Sequence, residues 1–431
     1  MSVPGLVGSA NFSYMMVVFG YLFGYGIIAA VLLPTYYRMN LTSIYGYLEK
    51  RFGFWSYKSG AFYFILSRTI GASFRLFIVI NVLQTFVFEA WNVPFWVTVL
   101  IFILLILLYT YKGGVKTIVW TDTLQTTFML LAVVISITII FRQLGLTFEG
   151  FIDQINAKGY SNILNHDWRS KSYFLKSFFG GMFIAVAMTG LDQEMMQKNI
   201  SVKTLKDSQK NMIIFSIVLV FINLLFLCLG ALLYLYSESR GITIPSGKTD
   251  DLFPVIALNN LGAVAAIFFI IGLISAAYPS ADGALTALTA SFCIDFLGMN
   301  KKEWSEKKKI NIRYTVHVSF AALLLILIVI FRLINDEAVV NKLFTVAGYT
   351  YGPLLGLYAF GLLTKRFVKD SLVPIICLLS PLVCYLLNEN SVDMFNGYKF
   401  GFELLILNGL VTALGLWFIS GKAPAVEKSV H

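Results

Sequence analysis

Eleven mostly apolar stretches of about 18 to 25 residues or more follow one another along the chain, each long enough to cross a bilayer as a helix. They lie near 11–36, 60–90, 94–111, 118–141, 173–190, 210–237, 262–296, 311–331, 339–364, 371–387 and 402–420. Only 13% of the 431 residues are charged against 58% hydrophobic, too few charges to cover a water-soluble surface. The expected class is therefore an all-α polytopic membrane protein of about 11 transmembrane helices. The longer stretches must tilt, break or extend beyond the bilayer.

Charge placement sets an expected orientation. With the first loop (37–59) in the cytoplasm, 21 of the 33 lysines and arginines fall on that side, 9 on the opposite side and three inside spans. Residue 1 then lies outside and the carboxyl end in the cytoplasm, so the net charge of +10 reads as a topology signal and not as a nucleic-acid surface. Cys228, Cys293, Cys377 and Cys384 all lie in spans, which argues against an extracellular disulfide framework. His166, His317 and His431 are scattered, which argues against a transition-metal site.

The seventh stretch carries the least lipid-like residues. Between Gly272 and Asp295 it holds Pro279, Ser280, Asp282, Thr286, Thr289 and Ser291. A carboxylate inside hydrocarbon costs several kcal/mol unless it is paired, protonated or lining a wet cavity, so Asp282 reads as part of an ion or proton pathway. Pro279 lacks an amide hydrogen and frees the carbonyl of Ser275 for a cation at that depth. The competing reading is a kinked helix with a protonated Asp282 hydrogen-bonded to a neighbour.

The second stretch carries Arg68 and Arg75, seven residues apart and so on nearly one helical face. A guanidinium keeps its charge in a membrane and needs an anionic or carbonyl partner. Arg75, deeper in, is a candidate to hold a substrate carboxylate in the two-pronged geometry that suits arginine. Arg68, nearer the cytoplasmic end, is expected to snorkel, with a structural ion pair as the alternative. Asp122 follows the Gly113–Gly114 turn at the start of the fourth stretch, where it is either functional or an interfacial carboxylate. The fifth stretch ends in Met188-Thr-Gly-Leu-Asp192-Gln-Glu194-Met-Met-Gln-Lys198, which reads as a polar exit into the cytoplasm.

With these landmarks in order the chain resembles the sodium/solute symporter family, including its sialic acid, proline and sugar branches. The resemblance covers nearly the whole chain and rests on several motifs together. They are Tyr47-Leu-Glu-Lys-Arg-Phe52, Tyr109-Thr-x-x-Gly113-Gly114 with Trp120-Thr121-Asp122 and Gln125, Asp192-Gln193-x-x-x-Gln197-Lys198, the run from Ala276 to Asp295, and Gly352-Pro353-x-x-Gly356. It implies a LeuT-type bundle of inverted repeats with sites at the midplane beside broken helices. Residues 1–431 would then be a single transporter domain: core helices two to ten over 11–364, two peripheral helices over 365–420 and a cytoplasmic tail over 421–431. Core helix one has no counterpart, so the resemblance also implies an amino-terminally truncated chain or a misplaced start.

By the same resemblance the common sodium site maps to Ala276, Pro279 and Ser280, with Pro279 standing where the family has a hydroxyl. The aspartate of a second sodium site maps to Asp122, and its hydroxyl partners fall at Asp282 and Gly283. Two carboxylates there would attract a hard cation, or share a proton in its absence. Arg75 aligns with the arginine that holds the substrate carboxylate in the sialic acid branch, although the glutamine this branch uses on core helix two is missing, since the first span has no Gln.

The expected function is sodium-coupled symport of a small carboxylate-bearing solute (a sialic-acid-like sugar acid, an amino acid or an organic acid) through a cytoplasmic membrane, with no covalent chemistry. Ser280, Asp282 and Asp122 would handle the coupling ion, and Arg75 with Ser73 the solute. Proton coupling through Asp122 and Asp282 stays open, as does a non-transporting sensor or inactive paralogue. The partners are then a small molecule and the lipid bilayer, with no nucleic acid and no signal for the oligomeric state.

Overall fold

A computed structural model describes residues 2–39, 43–110, 115–243, 248–334 and 339–421, with the side chains of 109–110, 115–122, 276–280, 334 and 339–340 left out of the description. The Gly113–Gly114 turn and the tail beyond residue 421 lie outside the described residues.

Apart from one two-residue ladder, in which Phe367–Val368 pairs antiparallel with Ser420–Gly421, the regular structure described is helical. We number the principal helices α1 (Tyr14–Ile27), α2 (Phe54–Leu83), α3 (Phe95–Thr110), α4 (Val115–Leu144), α5 (Phe174–Ala185) and α6 (Gln193–Ile200). They continue with α7 (Leu205–Arg240), α8 (Ala263–Ser291), α9 (Glu306–Ile334), α10 (Val339–Leu363), α11 (Val373–Glu389) and α12 (Leu404–Phe418).

Each of the eleven expected spans has a helix in its place. Among the described residues, 7 helices are long and apolar enough to cross a membrane, and 8 do if the bent pair α5 and α6 is one span. Shorter apolar helices, Phe95–Leu108, Ala263–Ser275 and Leu404–Phe418, stand at the third, seventh and eleventh positions. Outward faces are apolar, as lipid requires: Phe221, Leu378, Leu382 and Leu414 are exposed, whereas polar side chains gather inside.

Small residues decide which helices touch. A Cβ on Gly20 of α1 would strike the carbonyl oxygen of Phe178, and one on Gly181 of α5 would strike that of Val17. The two backbones therefore run in direct contact, the packing that glycine permits between membrane helices. Gly352 and Gly356 of α10 admit Asn408 and Thr412 of α12 in the same way, so the last helix buttresses α10.

Among the described residues four π-helical turns interrupt the spans, at Ile28–Leu32, Gln84–Phe88, Val186–Gly190 and Phe292–Phe296. Only the third leads into a sharp break, the 70° bend between Phe174–Gly190 and Gln193–Ile200. Pro279 and Pro353, by contrast, sit inside helices that continue through them, α8 and α10.

Candidate functional site

The 70° bend brings acidic residues inward. After the π turn the chain leaves helical geometry at Leu191, and Asp192, in an extended conformation, caps α6 by accepting from the amide of Met195 at 3.1 Å. Asp192 is 0% exposed and Glu194 8%. What the sequence suggested as a polar exit into water is instead a buried, folded-back half-helix.

Its partner is Arg68, 3% exposed on α2. The guanidinium pairs with Glu194 through Nη2 and lies 3.6 Å from Asp192 through Nη1. Glu194 is shared with Lys198 at 3.1 Å, and the Tyr351 hydroxyl of α10 donates to Asp192 at 3.3 Å. Glu194 also rests against Gly283 of α8, where a Cβ would strike Oε1. Snorkelling is thus corrected to the ion-pair alternative: Arg68 points inward and is neutralised by two carboxylates. The sequence does not single out this pairing, because the partners stand more than 120 residues away and the one local signal, an aspartate placed to cap a helix two residues after Gly190, reads equally as a polar exit into the cytoplasm.

Arg75 presents the opposite case. Two turns farther along the same face of α2, it makes no ion pair or hydrogen bond among the described residues, and it lines three cavities. One, of about 280 Å³, is apolar, walled by Met129, Phe226, Phe253, Phe269 and Leu273, with Gln125 as its polar member. A second, of about 380 Å³, is lined by Tyr21, Tyr25, Thr189, Asn199 and Asn211. Between Arg75 and Arg68 lies a third, of about 10 Å³. A guanidinium held this way inside an apolar bundle carries a charge that no described side chain neutralises by an ion pair. Ser73 is not brought to these cavities: it is fully buried on the far side of α2, and its hydroxyl donates to the carbonyl of Thr69 at 2.9 Å.

Of the cation-site candidates, Asp282 is the one whose side chain lies among the described residues. It is buried, 4% exposed, and accepts from the hydroxyl of Thr286 one turn on, at 3.2 Å. A donated hydrogen suits an ionised carboxylate. The side chains of Asp122, Ala276, Pro279 and Ser280 lie outside the described residues. α4 and α8 pack against each other where Gly272 meets Met129 and Phe128. Among the described residues no group of three His, Cys, Asp or Glu could hold a metal ion.

Comparison with known proteins gives this geometry its family. A family model described as the sodium:solute symporter family matches residues 1–370. The sodium/sialic acid symporter SiaT of Proteus mirabilis is 24% identical over 383 residues, which span 86% of this chain and 75% of that protein. For the sodium/sialic acid symporter NanT of Aliivibrio fischeri the figures are 22% over 417 residues, 96% and 82%. The human sodium/iodide cotransporter is 24% identical over 373 residues, but these span only 56% of its length. Among solved structures, the substrate-bound outward-open state of a Na+-coupled sialic acid symporter superposes with a TM-score of 0.81 at 17% identity, covering 98% of this chain and 87% of the other. At that identity the likeness shows the fold, a LeuT-type bundle. The chain accordingly belongs to the sodium:solute symporter family, a family of multi-pass membrane carriers that couple sodium to the movement of a solute.

Proposed function

We propose that this chain carries a small carboxylate-bearing solute with sodium, the solute's carboxylate being held by Arg75. The observation that carries this reading is the contrast between two arginines on one helix face: Arg68 has two buried carboxylates, and Arg75 has no protein partner among the described residues. Burying an unpaired charge is costly, and an anionic ligand that supplies two acceptor oxygens offsets the cost. The relatives named for sialic acid support the same class.

For the coupling ion the reading places sodium near Asp282 and Asp122, with Ala276, Pro279 and Ser280 supplying backbone carbonyl and hydroxyl oxygens. The residues present fit a hard cation in chemical type, being carboxylate, carbonyl and hydroxyl oxygen. Residues 11–364 form the transporting core and 365–420 a supporting pair of helices. The face bearing α6 and the carboxyl end faces the cytoplasm of an inner membrane, in keeping with the lysine and arginine excess there.

The test is uptake into proteoliposomes containing the full chain. An inward sodium gradient should drive accumulation of one or more labelled carboxylates from a panel of sialic acid, lactate and proline, with glucose and inositol as neutral controls. Uptake that follows a proton gradient in the absence of sodium, or a panel in which only neutral solutes move, would refute the reading.

A further inference from the structure

Between Lys301 and Arg313, where the chain enters α9, stand six basic residues and two carboxylates, Glu303 and Glu306. Part of this charge is already spent. Lys301 pairs with Glu49 at 3.3 Å and Lys309 with Glu306 at 2.7 Å. Lys302, Lys307 and Lys308 make no ion pair among the described residues, and the exposed Glu303 pairs with none of them. Trp304 gathers two of the three: Lys302 Nζ lies 4.7 Å from its ring centroid and Lys308 Nζ 5.0 Å. The two ammonium groups are therefore no more than about 10 Å apart. The ring's π face attracts each of them, but they repel one another, and an anion beside them relieves that repulsion.

The surface next to this charge is apolar and open. Ile310, Tyr314 and Val318 follow Lys307 by three, seven and eleven residues, so they share its face of α9, and all three are exposed. Eleven residues of helix measure about 16 Å, roughly half the thickness of the hydrocarbon core. An indole is also the side chain that settles at headgroup level, which places Trp304 and its lysines at the boundary from which this stripe enters the bilayer. An occupant that satisfies the whole surface is anionic at one end and apolar for the length of one leaflet. An acidic peptide or a free anion meets the lysines and leaves the stripe bare. A zwitterionic lipid covers the stripe but brings a cation of its own to the lysines.

We infer that Lys302, Trp304, Lys307 and Lys308 form a binding site for the phosphate headgroup of an anionic phospholipid, whose acyl chain lies along Ile310, Tyr314 and Val318. The site is separate from Arg75 and does not depend on what the carrier moves. A general excess of positive charge on one side of the membrane does not amount to the same thing. Lys203, Lys206 and Lys210 are exposed near the start of α7, which by alternation of the spans lies at the same end of the bundle, and no aromatic ring gathers them among the described residues.

The test titrates the purified full chain, in a neutral detergent, with dioleoyl phosphatidylglycerol or with dioleoyl phosphatidylcholine, which has the same acyl chains. The readout is the lipid-to-protein ratio that gives half of the full rise in melting temperature. In the wild type phosphatidylglycerol should reach that point at a ratio at least about 10-fold lower, since each lysine near a membrane surface is worth about fivefold for an anionic headgroup. The triple variant Lys302→Gln, Lys307→Gln, Lys308→Gln should bring the two lipids to within about threefold of each other. The control Lys203→Gln, Lys206→Gln, Lys210→Gln removes the same charge and should keep the wild-type preference. A wild-type chain without preference, or a preference that survives in the first triple variant, would overturn the site. Equal loss in both triple variants would reduce it to diffuse surface charge and overturn it as well. Glycerol phosphate added with phosphatidylcholine should not reproduce the effect of phosphatidylglycerol; if it does, the ligand is a free phosphate and the lipid assignment falls.

Discussion

Replacing Arg68 by methionine should unfold the chain far more readily than replacing the whole buried cluster by neutral groups. Arg68, Asp192 and Glu194 are all nearly or fully buried, so in Arg68→Met two carboxylates stay in the interior with less counter-charge. Glu194 retains Lys198 at 3.1 Å, but that lysine is half exposed, and Asp192 retains only the cap to Met195 and the Tyr351 hydroxyl. Loss of one partner from a buried pair costs about 3–5 kcal/mol, and the screened Lys198 contact offsets about 1 kcal/mol at most. In the triple variant Arg68→Met, Asp192→Asn, Glu194→Gln no charge is stranded, and asparagine still caps α6, so stability should lie within about 1 kcal/mol of wild type. The chain carries its own reporters: Cys293, Cys377 and Cys384 are buried and free, and react with a fluorogenic maleimide only when the bundle opens. Denaturant titrations in detergent, read by that thiol exposure, give both differences. A single variant within about 1 kcal/mol of wild type, or a triple variant as unstable as the single, would refute the stranded-charge reasoning.

Other expected outcomes follow from the same geometry. Asp122→Ala and Asp282→Ala should each abolish sodium-stimulated uptake in proteoliposomes, and near-normal stimulation in both would remove them from the ion path. Thr286→Val deletes the hydroxyl that donates to Asp282 and should raise the sodium concentration for half-maximal uptake by about tenfold. Gly283→Ala places a methyl group against Glu194 Oε1 and should cost about 1–3 kcal/mol in the thiol-exposure assay. An alanine variant as stable as wild type would show that the start of α6 does not press on α8 there.

Much of this was legible in one dimension because lipid imposes simple rules. All eleven apolar stretches became helices, and the seven-residue spacing of Arg68 and Arg75 did place both on one face. What the chain could not reveal locally was which arginine would find partners. Asp192 and Glu194 looked like the water-facing end of a span because they are charged and follow Gly190. They are interior because a π turn and a 70° bend fold that end back against α2 and α8. Ser73 was paired with Arg75 by proximity in sequence, yet two residues along a helix is nearly half a turn of azimuth, and the serine faces away. The small cavity was illegible altogether, since it exists only where α2, α10 and the Met188 turn meet.

The central claim is that Arg75 stands charged and unpaired to receive a carboxylate, and binding to acids and their amides measures it most directly. With lactate against lactamide, and sialic acid against its amide, the wild-type chain in sodium should favour at least one acid about 100-fold, the worth of a two-pronged charged contact. Arg75→Lys should keep only part of that preference, and Arg75→Gln should erase it while the amide binds as before. An Arg75→Gln chain that still binds the acid as tightly as wild type would contradict the account.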